Sequence, residues 1–178
     1  MMNGTIELIT RRLQLRKHVM EDARILYKKF GCDPSMSKYS GWNPYASMKQ
    51  ATRTVREFIG RYQEQDFYGW AIEYDRQLIG TIGAYDYDKE KSCIEVGFSI
   101  ERKSWEMGFS PEALSKVLEY LTAHEGIEAV SAWCASDNYG SSKAMEKAEM
   151  IQTDAERDAV EVNGQYYDKL NFKYGKCR

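Results

Sequence analysis

At 178 residues, with 43% hydrophobic and 29% charged side chains, the chain suits one domain with a single sizeable core and is unlike disordered or membrane sequences. Its formal net charge of -2 leaves no global positive field for a nucleic-acid backbone or an anionic membrane, so neither is an expected partner and any anion site must be local. Cys32, Cys93, Cys134 and Cys177 lack the CxxC spacing of a zinc or redox site, and there is no signal pattern or apolar run of about 20 residues, so reduced thiols, no metal and a cytoplasmic location are expected.

Ile6, Leu8, Leu13 and Leu15 alternate with polar residues and predict an opening strand with one buried face. Ala23, Leu26, Tyr27 and Phe30 then follow a helical stripe that stops at Gly31, with Pro34 just beyond. The segment 32–46 is loop-like. Ser47 and Gln50 have capping-box spacing ahead of a second stripe, Val55, Phe58, Ile59 and Tyr62. From Tyr68 the period becomes two, and Trp70, Ile72 and Tyr74, a turn at Asp75–Gln77 and a strand over 78–85 predict an antiparallel hairpin. A strand over 93–100 comes next. Ser110, Pro111 and Glu112 offer an N-cap, a proline at the first helical position and a first-turn acid for a helix whose buried stripe is Leu114, Val117, Leu118 and Leu121. A strand over 128–134, a polar turn and a short helix over 141–148 precede a closing hairpin with Asn163 and Gly164 at its tight turn. The order β-α-α-β-β-β-α-β-α-β-β contains no repeat or linker, so residues 1–178 form a single domain.

The loop 101–109 joins a strand end to this helix, so backbone N–H groups and the positive end of the helix dipole face whatever binds there. Gly108 allows close backbone approach, and Arg102 and Lys103 add local positive charge, a combination that suits a pyrophosphate. A solvated basic turn with an ordinary helix cap accounts for the same residues.

The runs Ile94–Ile100 and Trp105–Ala113 resemble the acetyl-CoA-binding motif of the GNAT family of N-acetyltransferases, and Asn138–Lys147 resembles its second motif, especially in the branch that acetylates ribosomal-protein N-termini. The opening Leu8–Arg16 and the closing Asn163–Asp168 extend the likeness through nearly the whole chain. The resemblance implies a mixed α+β fold whose splayed, mostly antiparallel sheet of six to seven strands is flanked by about four helices. It implies acetyl transfer from acetyl-CoA, as co-substrate and without a metal, to a primary amine by direct attack in a ternary complex. The amine would be a peptide or ribosomal-protein N-terminus or a small molecule, and a homodimer would suit the family.

Carried over from the same resemblance, backbone groups of Phe98, Ser99 and Ile100 would pair with the pantetheine arm. Lys103 and the run Trp105, Glu106, Met107, Gly108, Phe109 and Ser110 would surround the pyrophosphate, Asn138 would bond the arm, and Lys143 would reach the nucleotide phosphates. Ser141 or Tyr139 would protonate the departing thiolate, and Glu95 would act as base on the amine, directly or through water. Each has a structural alternative: Ser141 as the N-cap of the short helix, Tyr139 as a packed aromatic, Glu95 as a solvated strand residue. His18 and His124 match no motif and receive no role. Trp42, Tyr45, Tyr68 and Trp70 are candidates for the acceptor side, with Trp70 better read as core. The chain departs from the family pattern where Glu106 replaces a second glycine, where Ser110 replaces glycine or alanine, and where Ala148-Glu149-Met150 replaces leucine-glycine-phenylalanine. These departures motivate the other reading, a catalytically weak or inactive acetyl-CoA-binding module on the same fold.

Overall fold

In the computed structural model, which describes residues 2–39 and 43–176, the chain folds in the order β1 (Leu8–Ile9), β2 (Leu13–Arg16), α1 (Asp22–Leu26), α2 (Met48–Arg61), β3 (Tyr68–Tyr74), β4 (Gln77–Asp88), β5 (Cys93–Ile100), α3 (Phe109–Glu119), β6 (Ala129–Ala135), α4 (Tyr139–Lys147), β7 (Ile151–Val162) and β8 (Gln165–Gly175). The single opening strand of the sequence reading is two short strands folded on each other, because the Thr10 hydroxyl takes the Leu13 N–H at 2.8 Å and closes a turn between them. Wider helical turns, Tyr27–Gly31 and Tyr120–His124, extend α1 and α3.

Among the described residues, eight strands form one sheet in the order β1-β2-β3-β4-β5-β6-β8-β7, one or two more than expected, and only β5 and β6 run parallel. The two tight hairpins follow from their turn residues. Asp75 and Arg76, and then Asn163 and Gly164, all carry positive φ, the conformation that matches a two-residue turn to strand twist. The chain crosses from α4 to the far edge as β7 and returns as β8 between β7 and β6.

One sheet face buries Leu13, Leu15, Trp70, Ile72, Ile82, Ile94, Val96, Val130 and Phe172 against Leu114, Val117, Leu118 and Met145 of α3 and α4. Each such side chain stabilises the fold by roughly 1.5–3 kcal/mol through burial. The other face carries α1 and α2, whose Leu26, Phe30, Ala51 and Val55 pack on Ala71 and Leu78. The Ser47 hydroxyl starts α2 by accepting the Gln50 N–H at 3.2 Å. α1 is tied to the sheet by charge: Arg16 pairs with Asp22 at 2.8 Å and with Glu73 at 2.7 Å. Burial alone would raise the Asp22 carboxyl, but hydrogen bonds from His18, Arg16 and the Val19 N–H outweigh it and hold Asp22 well below the usual carboxylate range.

Candidate functional site

β5 and β6 pair over only three positions, Cys93↔Ala129, Ile94↔Val130 and Glu95↔Ser131, after which β6 continues along β8 while β5 continues along β4. Beyond Glu95, one edge of β5 therefore faces a wedge. Ladder parity fixes which groups point into it. Ser92 gives its carbonyl to the Ala129 N–H on the β6 side, whereas the Glu101 N–H turns to Ile79 of β4. Even-numbered residues of β5 thus direct both peptide groups toward the wedge and odd-numbered ones toward β4. Phe98 and Ile100 are on the wedge side. Ser99 is not: its peptide groups face Thr81 in β4. Val96, which the sequence reading omitted, has the correct parity. The Ile100 carbonyl already accepts the Trp105 indole N–H at 2.7 Å, so what Ile100 presents to the wedge is its N–H.

The wedge opens toward the loop 101–108. Glu101 is buried and anchors the loop's start, pairing with Lys29 at 2.9 Å. Arg102 and Lys103 are exposed on a short helical turn, Arg102–Ser104. Glu106 and Gly108 both adopt left-handed backbone, with φ 64° and 77°. α3 begins at Phe109 with Gly108 as N-cap and no side-chain cap, so Ser110 lies inside the first turn and not at the cap predicted from the proline after it. The first turn therefore presents the N–H groups of Phe109 and Ser110, while Pro111 has none to offer. Phe109 contributes only its backbone there, since its ring is buried 4.6 Å from the Tyr74 ring. Met107 is exposed, and its carbonyl accepts from Arg12 at 2.9 Å.

At the end of β6, Asn138 caps α4 by accepting the Ser141 N–H at 3.2 Å, so α4 begins at Tyr139, two residues earlier than predicted. The cap role proposed as the alternative for Ser141 belongs to Asn138, whose cap bond uses only its side-chain oxygen and leaves the NH2 group as a donor. Tyr139 is 69% exposed and is not a packed aromatic. Lys143 lies exposed one helical turn further on. α4 ends in a Schellman arrangement, with Glu149 N–H on the Glu146 carbonyl and Met150 N–H on the Met145 carbonyl, both at 3.0 Å. Glu149 supplies the left-handed residue, at φ 65°, that a glycine would adopt without strain.

On the sheet face opposite α3, Glu95 is held by two donors. The Trp133 indole N–H reaches it at 3.0 Å from β6, and the Tyr85 hydroxyl reaches it from β4. Burial first, then the Glu95 charge, push the Tyr85 phenol above its ordinary value, so it stays protonated and donates. Gly97 makes this possible, because a Cβ there would stand 2.8 Å from the Tyr85 hydroxyl. Neither Tyr85 nor Trp133 was found from the sequence, although strand alternation places Tyr85 directly across from Glu95. The Lys169 ammonium lies 5.4 Å from the Trp133 ring centre and extends this surface into β8. Its far end is closed by a small cluster in which Tyr39, from the loop after α1, meets Tyr167 edge-on at 5.8 Å beside Val160, Val162 and Ala135.

The aromatic residues expected on the acceptor side separate. Tyr68 and Trp70 are buried on the α3 face, Tyr45 packs against Phe30 in the α1–α2 core, and Trp42 lies outside the described residues. Inward parity on β3, which the sequence pattern shows for Trp70, holds for Tyr68 as well. His18 is buried beside Asp22 and Phe58, away from the wedge. Cys134 is buried and its thiol is pushed up to about 11, first by burial, while Cys177 lies outside the described residues.

The family profile described as an acetyltransferase (GNAT) domain matches residues 12–151. The uncharacterised N-acetyltransferase YoaA of Bacillus subtilis (strain 168) is 31% identical over 173 residues, covering 96% of this chain and 97% of its own length. Among solved structures, a GNAT-family acetyltransferase from Bacillus anthracis superposes with a TM-score of 0.84 at 19% identity, covering 96% of this chain and 98% of that one. RimL, a ribosomal L7/L12 alpha-N-protein acetyltransferase solved in complex with coenzyme A, superposes with a TM-score of 0.84 at 15% identity, over 94% of this chain and 96% of its own.

Proposed function

The chain belongs to the GNAT acetyltransferase family, and from that premise we propose that it transfers the acetyl group of acetyl-CoA to a primary amine by direct attack within the wedge between β5 and β6. The observation that carries the proposal is the wedge itself. It is a strand edge that, past its last pair with β6, presents the Val96 carbonyl, both peptide groups of Phe98 and the Ile100 N–H, next to a helix N-terminus with no side-chain cap. Such an edge accepts an extended amide-bearing chain as an added strand, and the helix end accepts an anion. These are the two halves of coenzyme A. Phe98 and Ile100 would hold the pantetheine amides, joined by the Asn138 NH2 group. The N–H groups of Gly108, Phe109 and Ser110 would hold the pyrophosphate, with Lys103 and Lys143 supplying charge from the rim.

Acetyl-CoA supplies an activated thioester, so the protein's own task is to place the amine and move two protons. Glu95 faces the acceptor surface and takes the amine proton, directly or through one water, while Tyr85 and Trp133 fix its carboxylate. Tyr139 and Ser141, at the first turn of α4, are the hydroxyls placed to return a proton to the leaving sulfur. The acceptor class remains as broad as the sequence reading made it, a peptide or ribosomal-protein N-terminus or a small amine.

The test is a thermal titration with acetyl-CoA followed by assay of free thiol with a panel of amines. A saturable rise in melting temperature together with thiol release above the hydrolytic background supports transfer, because a ligand that binds the folded state raises its stability by mass action. A thermal rise without thiol release across peptide, polyamine and small-amine acceptors supports the non-catalytic module. No shift at millimolar ligand removes both.

A further inference from the structure

Arg12 sits in the β1–β2 turn, yet its polar contacts lie in the loop before α3 and in that helix's first turn. Nη1 donates to the Met107 carbonyl at 2.9 Å, and Nε donates to Glu112 Oε2 at 2.7 Å. The Arg12 backbone N–H and the Thr10 hydroxyl donate to the other Glu112 oxygen, at 2.9 and 2.6 Å. The guanidinium also lies 4.5 Å from the centre of the Phe109 ring. Burial of Glu112 would raise its carboxyl, but the bonds from Thr10 and Arg12 outweigh that and hold it below its ordinary value.

Two consequences follow for the loop. A trans peptide points its carbonyl and the next N–H in opposite directions, so a Met107 carbonyl held on Arg12 turns the Gly108 N–H away from Arg12. Glu112, in the first turn of α3, is also an anion at the helix's positive end, where it competes with any anionic ligand for the same field. Arg12 draws its carboxylate to the β2 side and neutralises it.

We propose that Arg12 is a positioning residue for the pyrophosphate of coenzyme A, orienting the Gly108 N–H and cancelling the Glu112 charge at the mouth of α3. The proposal rests on the reading of this loop as the pyrophosphate site. It deepens that reading by assigning the loop's geometry to a residue distant in sequence.

The experiment compares coenzyme A with pantetheine, which has the arm but no pyrophosphate, on wild type, Arg12→Met, Arg12→Lys and the double variant Arg12→Met/Glu112→Gln. Unliganded melting checks folding in each case, and Arg12→Lys, which keeps the charge but replaces the planar fork with a single ammonium, remains informative if the methionine variant is unstable. Arg12→Met should weaken coenzyme A on the order of tenfold to a hundredfold, the range for lost charge-assisted hydrogen bonds. Arg12→Lys should fall between it and wild type, the millimolar pantetheine shift should stay at the wild-type value, and Glu112→Gln should recover part of the loss. Unchanged coenzyme A affinity in Arg12→Met overturns the proposal. An equal loss for both ligands also overturns it, by showing a merely structural role. A wild-type protein that does not bind coenzyme A removes the pyrophosphate reading itself, an outcome visible before any variant is made.

Discussion

The two walls of the wedge are built differently. The proposed cofactor wall, comprising β5, the loop 101–108 and the start of α3, is cross-braced from distant parts of the chain: Arg12 and Thr10 hold Glu112 and Met107, and Lys29 holds Glu101. The proposed acceptor wall, comprising the chain after α1 up to Tyr39 and the β7–β8 hairpin, rests on a small cluster of Tyr39, Ala135, Val160, Val162 and Tyr167. β7 is exposed over most of its length. A wall that binds the same ligand in every turnover gains from being fixed in advance. A wall that admits the second substrate can be lightly supported, and sequence change there alters specificity before it alters the fold.

The sharpest way to break the comparison is at Glu95, where the walls meet. Glu95→Gln keeps the hydrogen bonds from Trp133 and Tyr85 in outline but removes the proposed base. We expect kcat to fall on the order of a hundredfold to ten-thousandfold, with coenzyme A affinity unchanged. Rates at saturating acetyl-CoA, set beside the ligand's thermal shift, separate the two quantities. A fall in affinity equal to the fall in rate would place Glu95 on the cofactor wall.

A separate brace, behind the site, is testable through Asp22, which ties α1 to β2. Asp22→Asn leaves Arg16 and His18 without their buried anion and should destabilise the protein by about 3 kcal/mol, read from urea unfolding. For the wild type, the Asp22 carboxyl lies below its unfolded value, so its stabilising contribution is complete above about pH 5 and declines as pH falls below about 4, where the unfolded chain binds the proton first. The variant should lose that part of the acid dependence. An acid limb of the same slope in both proteins would mean that other carboxylates carry it.

What was legible in the sequence follows the same division. The cofactor wall is nearly continuous in the chain, from Ile94 to Ala113, and its strand, glycine and helix signals are local, so they were readable in order. The details that failed there are ones that local pattern cannot decide. Ser110 looked like a cap because proline follows it, yet Gly108 in left-handed backbone starts the helix earlier. Ser99 looked equivalent to its neighbours until the ladder assigned its peptide groups to β4. The acceptor wall depends on strand order, because β8 enters between β6 and β7 and brings Lys169 beside Trp133, and nothing local announces that. Tyr85 and Trp133 escape for a different reason: what singles them out is the bond each makes to Glu95, a contact that no motif announces.

A milder change should show the acceptor wall yielding on its own. Tyr167→Ala removes the aromatic that meets Tyr39 and should destabilise the fold by about 2 kcal/mol, less than a central-core truncation because the cluster is small and peripheral. The larger consequence is expected in the KM for the amine, with the KM for acetyl-CoA unchanged. A shift in the acetyl-CoA constant alone would mean that the hairpin belongs to the cofactor wall.

The smallest expected effect distinguishes backbone from charge. Glu106 and Glu149 both occupy left-handed backbone, at φ 64° and 65°, where a side chain costs about 1–2 kcal/mol and glycine does not, although glycine gives back part of that through the greater freedom of the unfolded chain. Glu106→Gly and Glu149→Gly should therefore each stabilise the protein by about 0.5–1 kcal/mol, to a similar degree. Only Glu106 lies beside the proposed pyrophosphate, so only Glu106→Gly should also tighten coenzyme A, by a few-fold at low ionic strength and less as salt is added. If both variants tighten it equally, the gain comes from general stability. If Glu106→Gly weakens it, the glutamate is helping to hold the loop in its binding shape, and the departure from the family's glycine is an adaptation of this chain.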